Sequence, residues 1–131
     1  MSDGPLTRVL YIEDDLDIQA IATLALETVG GLTVQVCSSG HDAVAVATAF
    51  APDCVLLDVM MPGMDGPATL EALRADVATA RLPVVFMTAK VQPAEVEQLR
   101  ALGAIGVIAK PFDPMSLAAE LRAIFSGWQG R

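Results

Sequence analysis

Glu13, Asp14, Asp15, Asp58, Thr88 and Lys110 are the residues of this sequence whose types and spacing could do chemistry together. The carboxylates form an all-oxygen donor set, of the kind that holds Mg²⁺ or Mn²⁺ with the help of a backbone carbonyl and retained waters. Crowded acids repel one another and raise a pKa, and a divalent cation reverses that penalty by stabilising their ionised forms. Lys110 adds a positive charge on a flexible stem, and Thr88 adds a hydroxyl. Both suit the oxygens of a transferred phosphoryl group. A carboxylate can itself be the nucleophile in such a transfer, forming an acyl phosphate while cations take up the charge developing on the equatorial oxygens. Singly, each residue has a plainer role, since strand-end acids form turns and caps and lone lysines are solvated. The joint placement is what points to chemistry.

All of them fall at the ends of apolar runs. Residues 7–12 read as a strand that stops at Glu13, and residues 33–37 form a short β-branched run. Residues 53–57 are a third strand ending at Asp58, and residues 83–87 a fourth ending at Thr88. Residues 105–109, interrupted by Gly106, lead into Lys110 and Pro111. Between these lie segments with helical spacing. Ile18, Ile21, Leu24 and Ala25 form the first and stop at Gly30 and Gly31. Val44, Ala47 and Phe50 follow a capping box from Ser39 to Asp42. Leu70 and Leu73 follow Pro67, which suits a first helical turn, behind a loop made by residues 60–66. Val96, Leu99 and Leu102 point inward between Pro93 and Gly103. Leu117, Leu121, Ile124 and Phe125 follow the cap-and-turn pair Asp113 and Pro114 and fade at Gly127. Five strands alternating with five helices predict an α/β fold with a parallel sheet covered on both faces, because parallel strands need crossovers and these are right-handed. In such a sheet, function gathers beyond the carboxyl ends of the strands.

Composition narrows the function classes. At 131 residues the chain fits one domain able to bury roughly two thirds of its unfolded surface, and 53% hydrophobic content against 18% charged argues against a disordered acidic segment. The apolar runs are too short to span a bilayer, and no basic leader precedes a long apolar segment, so the expected location is the cytoplasm. A net charge of −8 disfavours direct nucleic-acid binding. No lysine or arginine stands between Arg8 and Arg74, a stretch holding ten acids, so some of these need a counter-charge from later in the chain or from a cation. Cys37 and Cys54 lie in apolar runs and read as two buried thiols. Neither GxGxxG nor GxxxxGK[ST] follows the first strand, and no GxSxG elbow is present, which disfavours dinucleotide binding and serine hydrolysis. His41, the only histidine, stands in the capping sequence.

With these residues in hand, the chain resembles the CheY-like receiver domain of two-component response regulators over nearly all its length. The resemblance is carried by residues 9–15 (VLYIEDD), 53–66 (DCVLLDVMMPGMDG), 83–89 (PVVFMTA) and 110–112 (KPF), in this order and at these intervals. It implies a flavodoxin-like, doubly wound (βα)5 fold with strand order 2-1-3-4-5, in a single domain with its core at about residues 6–126 and flexible ends at 1–5 and 127–131. It implies that Asp58 is the phosphoacceptor and Asp14 a direct ligand of Mg²⁺ or Mn²⁺. Glu13 acts on the metal through water, and Asp15 is an additional acid beside the pair. The Met60 backbone carbonyl completes the metal shell, Thr88 and Lys110 bind the phosphoryl group and switch, and Pro111 follows a cis bond. Receivers often place an aromatic residue three positions before the lysine; here that residue is Val107.

The implied donor is a sensor histidine kinase or a histidine phosphotransfer protein, and small acyl phosphates can substitute. The implied output is a downstream protein, or a second copy, bound through the fourth helix, fifth strand and fifth helix, which begin near Pro93, Ile105 and Pro114. The chain is then a stand-alone receiver or one domain of a larger protein. Self-directed phosphotransfer and slow hydrolysis are its only expected catalysis. Two rival readings are a pseudo-receiver that docks without phosphorylation and a small aspartyl-phosphate phosphatase. The phosphatase would want an acid two residues beyond its nucleophile, where Met60 stands.

Overall fold

A computed structural model describes residues 4–130. Strands β1 (Arg8–Ile12), β2 (Thr33–Cys37), β3 (Cys54–Asp58), β4 (Val84–Thr88) and β5 (Gly106–Ala109) alternate with helices α1 (Leu16–Leu24), α2 (Ala43–Phe50), α3 (Gly66–Ala75), α4 (Pro93–Ala101) and α5 (Leu117–Gln129). The strands form one parallel sheet of order β2-β1-β3-β4-β5, the flavodoxin-like arrangement that the resemblance implies.

Strand side chains alternate between two faces, so each strand feeds two cores. Val9 and Tyr11 of β1, Cys54 and Leu56 of β3, and Val85 and Met87 of β4 pack with Ala22, Leu26, Leu117 and Phe125. Leu10, Ile12, Val55, Leu57, Val84 and Phe86 face the other way, onto Ala43, Ala47, Leu70, Leu73 and Leu99. Helices α1 and α5 therefore cover one face, and α2, α3 and α4 the other. A fully buried leucine such as Leu10 or Leu57 stabilises the fold by about 1.5–3 kcal/mol. Both cysteines are buried and unpaired, and burial pushes the Cys54 thiol up to about 12.

The structure departs from the sequence expectation in several places. Helix α1 continues as a π-helical turn over Ala25–Val29, in which the Gly30 N–H reaches back to the Ala25 carbonyl at 3.0 Å. Its inward face is made by Ala22, Ala25 and Leu26, whereas Ile21 and Leu24 are 50% and 61% exposed. Small residues let the helix lie close to the sheet, and the bulky pair turns outward. On α4, Leu99 is buried but Leu102, just beyond the last turn, is exposed. The segment after Ser39 is a 3₁₀ turn, and the Ser39 hydroxyl accepts from the His41 N–H at 3.1 Å. Asp42 makes no side-chain cap for α2, so the box is half built. Gly106 does not interrupt β5. It lies where a Cβ would come within 2.6 Å of Ile124, so its bare backbone lets α5 pack closely.

Helix α5 does not fade at Gly127. It runs on to Gln129, with the Trp128 ring 5.7 Å from Phe125 and the Gln129 amide donating to the Gly4 carbonyl at 3.0 Å. The ends expected to be flexible are thus partly tied together; residues 1–3 and 131 lie outside the described residues.

Asp53 fastens the entry of β1. Its Oδ2 accepts from the Thr7 N–H at 3.0 Å, the Thr7 hydroxyl at 2.9 Å and the Arg8 N–H at 2.9 Å. Burial works to raise this carboxyl, but the bonds from Arg8 and Thr7 outweigh it and hold the group below the usual carboxylate range. The folded pKa being depressed, the stabilisation is present above the unfolded value and is lost as pH falls through the folded one. Asp53→Ala is expected to cost about 1 kcal/mol at neutral pH and to converge with wild type in acid. Denaturant titrations at several pH values check this, and a gap that persists undiminished in acid would contradict it.

Candidate functional site

The carboxyl ends of β1, β3, β4 and β5 enclose an open cleft of about 270 Å³ bounded by Glu13, Asp14, Asp58, Met60, Thr88 and Lys110. Each arrives there for a local reason. Beyond Ile12 the chain stays beside β2, with the Glu13 N–H donating to the Cys37 carbonyl at 3.0 Å. It then turns into α1, because Asp15 caps that helix and accepts from the Asp17 N–H at 2.9 Å and the Ile18 N–H at 3.1 Å. Asp15 lines the same cleft, but its carboxylate is engaged as the cap. The Gln19 side chain donates to the Glu13 carbonyl and, at 2.9 Å, to the Ser38 hydroxyl, so it ties the acidic turn to the turn after β2.

Asp58 ends β3 and is 3% exposed. The loop after it returns across the strand end, where Gly66 is required. A Cβ there would meet the Asp58 carbonyl at 2.6 Å and the Val59 Cα at 2.8 Å. Asp65 then caps α3 through the Ala68 N–H at 2.9 Å. Met60, two residues beyond Asp58, also lines the cleft and is 69% exposed. Thr88 is 3% exposed at the end of β4, and its hydroxyl accepts from the Lys90 N–H at 3.0 Å. The Lys110 N–H donates to the Thr88 carbonyl at 2.9 Å, and the Lys110–Pro111 peptide bond is cis. Val107 is partly buried in the layer beneath α2, α3 and α4, against the cluster that contains Phe86 and Leu99.

At the centre, the Lys110 ammonium lies 3.0 Å from both Glu13 Oε1 and Asp58 Oδ1. It is the counter-charge from the later half of the chain that the run of acids requires. Burial pushes the Glu13 carboxyl up, against the opposing pull of Lys110 and of the Asp15 N–H. Burial also works against the Lys110 charge, yet Asp58 and Glu13 hold the ammonium above its ordinary value. The Tyr11 hydroxyl, raised by burial and then by the Glu13 charge, donates to Glu13 Oε1 at 3.3 Å. Gln19 and Tyr11 are the site residues that sequence reasoning missed. For Tyr11 a signal existed, since residues two apart on a strand share a face and so Tyr11 must lie behind Glu13.

The donor set suits a hard cation. Oxygen atoms of Glu13, Asp14 and Asp58 lie within 4.8 Å of one another. Three carboxylates against one ammonium leave two negative charges uncompensated, which is the charge that a divalent ion supplies.

Comparison with known proteins agrees with this geometry. Residues 9–122 match the model of the response regulator receiver domain. The DNA-binding response regulator MtrA of Mycobacterium tuberculosis is 37% identical over 116 residues, covering 88% of this chain and 49% of MtrA. The transcriptional regulator RpaA of Synechocystis is 35% identical over 119 residues, covering 91% of this chain and 49% of RpaA. The chain thus spans about half the length of these relatives. Among solved structures, the chemotaxis protein CheY4 of Vibrio cholerae superposes with a TM-score of 0.82 at 28% identity, covering 91% of this chain and 98% of that one. The receiver domain of the sensor histidine kinase PA1611 from Pseudomonas aeruginosa, whose structure has a magnesium ion coordinated in its active-site cleft, gives 0.78 at 28% identity, covering 95% and 98%. Fold, acidic cleft and family match converge: the chain belongs to the response regulator receiver domain family and is a phosphorylation-dependent module of two-component signalling.

Proposed function

We propose that Asp58 accepts a phosphoryl group from the phosphohistidine of a sensor histidine kinase or a histidine phosphotransfer protein, with Mg²⁺ held by Asp14, Asp58, the Met60 carbonyl and, through water, Glu13. The observation that carries this reading is the nearly buried Asp58 carboxylate, 3.0 Å from the Lys110 ammonium and within the acidic cluster. An oxygen of Asp58 forms the new bond to phosphorus as the nitrogen–phosphorus bond of the donor breaks and the imidazole leaves. Bound Mg²⁺ supplies positive charge to the phosphoryl oxygens. Lys110 shifts from Asp58 to the incoming phosphoryl oxygen, and Thr88 turns its hydroxyl toward the same group. The residue two places beyond Asp58 is Met60, so no carboxyl stands there to protonate a departing alcohol, which favours a self-modifying switch over a phosphatase. The changed surface is read at α4, β5 and α5 by a downstream protein or a second copy. With a net charge of −8, the reading assigns this domain no direct contact with nucleic acid.

Asp14 makes no hydrogen bond or ion pair among the described residues, although it stands beside two other carboxylates. Asp14→Asn is therefore expected to raise the unfolding midpoint slightly without metal, because it removes one of three neighbouring negative charges. It should also remove most of the rise that millimolar Mg²⁺ produces in wild type. Thermal unfolding with and without Mg²⁺ checks both halves, and a Mg²⁺ response equal to wild type would count against the metal set.

A protein donor must approach across the surface next to Lys110, where Ile18, Ile21, Pro111 and Phe112 line an apolar hollow of about 460 Å³. The test is transfer from a phosphorylated histidine phosphotransfer domain. Wild type should take up the label, and Ile21→Asp should slow uptake from that domain on the order of tenfold while uptake from a small acyl phosphate is unchanged. No transfer from any phosphohistidine protein, with labelling by the small donor intact, would overturn the assignment of the donor class.

A further inference from the structure

We infer that Tyr11 is a positioning residue for the cation site, its hydroxyl fixing the carboxylate of Glu13 so that the site keeps its shape when Lys110 moves. The inference rests on the reading of Glu13 as the acid that serves the metal through water. Glu13 is 1% exposed and is held by donors from three parts of the chain. Its Oε1 accepts from the Lys110 ammonium at 3.0 Å and from the Tyr11 hydroxyl at 3.3 Å, and its Oε2 accepts from the Asp15 N–H at 3.2 Å.

Lys110 is the member of this set that is shared with Asp58. It divides its hydrogen bonds between Glu13 and Asp58, and a phosphoryl group at Asp58 adds negative charge on the Asp58 side. As the ammonium is drawn there, Oε1 would be left buried and without a donor, a costly condition for a carboxylate. Tyr11 prevents this. Its ring is fully buried in the layer beneath α1 and α5, and Glu13 is the described partner of its hydroxyl. The ring is therefore locked by packing while its polar end is committed to one carboxylate oxygen. Tyr11 thus holds a ligand group from behind, as partners of metal-binding side chains commonly do.

Tyr11→Phe removes the hydroxyl and keeps the ring, so the fold should persist with a near-native unfolding midpoint. Mg²⁺ titration followed by the amide NMR shifts of Asp14 and Asp15 should show affinity falling on the order of tenfold in Tyr11→Phe. A small acyl phosphate should still label Asp58 once Mg²⁺ saturates. Tyr11 is the only tyrosine in the chain. In wild type, Mg²⁺ should therefore also perturb the near-ultraviolet tyrosine absorption with the same midpoint as the Asp15 amide, a readout that does not depend on the variant folding. Equal Mg²⁺ affinities in the two proteins, or a tyrosine band unmoved by Mg²⁺, would overturn the positioning role while labelling leaves the Asp58 reading standing. Failure of wild type to bind Mg²⁺ and to be labelled would overturn that reading, and this inference with it.

Discussion

Asp58→Asn will leave a folded domain that takes up no phosphoryl group. Asp58 closes β3 with its backbone, and the amide has the same shape as the carboxylate, so strand pairing and the return of the loop at Gly66 are preserved. What is lost is the nucleophile. An amide oxygen does not form the acyl phosphate, and removing an attacking group typically costs a reaction several orders of magnitude, so labelling should fall on the order of 1000-fold or more. Lys110 keeps Glu13 as its partner, which limits the damage to the fold. Circular dichroism should show native helix content and an unfolding midpoint within a few degrees of wild type. Labelling of Asp58→Asn at the wild-type level would remove Asp58 from the chemistry.

Lys110→Ala will have the second largest effect, and it falls on both stability and signalling. A lysine on a flexible stem beyond the last apolar run would by itself suggest a mild loss. The structure shows instead an ammonium clamped between Glu13 and Asp58, whose side chains are 1% and 4% exposed. Removing it takes the paired cation from two nearly buried carboxylates, of which Glu13 keeps its Tyr11 and Asp15 donors, at a cost of about 2 kcal/mol at neutral pH, tempered because the lysine side chain is itself 18% exposed. The folded pKa of Lys110 being raised, its contribution is complete at neutral pH and is lost only as pH climbs through that raised value, in the alkaline range. The deficit of the variant should therefore shrink at high pH and also when Mg²⁺ supplies the missing charge. Partner affinity should no longer rise on phosphorylation, because no ammonium follows the phosphoryl group. A response equal to wild type in a binding titration would contradict the role given to Lys110.

Much of this site is legible from residue type and position. Glu13, Asp14, Asp58, Thr88 and Lys110 stand at the carboxyl ends of apolar runs, and a parallel sheet brings such ends to one edge, so the cluster follows from the alternation of strands and helices alone. Features that depend on how closely two elements approach are not legible in that way. The outward turn of Ile21 and Leu24 follows from small residues at Ala22 and Ala25 letting α1 lie close to the sheet, which a count of apolar positions does not reveal. Gly106 reads as an interruption until Ile124 is placed against it. The extension of α5 through Gly127 depends on the Phe125–Trp128 packing and on the Gln129 bond to Gly4, a contact between opposite ends of the chain. Asp15 is indistinguishable by type from Asp14, yet it is the helix cap, because its position in the turn presents its oxygen to the first amides of α1.

The central claim, that Asp58 is the acid modified and that a divalent cation is needed, is tested most directly by mass spectrometry of the wild-type chain after incubation with Mg²⁺ and a small acyl phosphate. Reduction with borohydride before digestion marks the modified carboxyl. The account predicts a gain of one phosphoryl group, absent in excess chelator, with the reduced residue at position 58. A gain that persists in chelator, or a mark at Asp14, Asp15 or any other residue in place of Asp58, would contradict it.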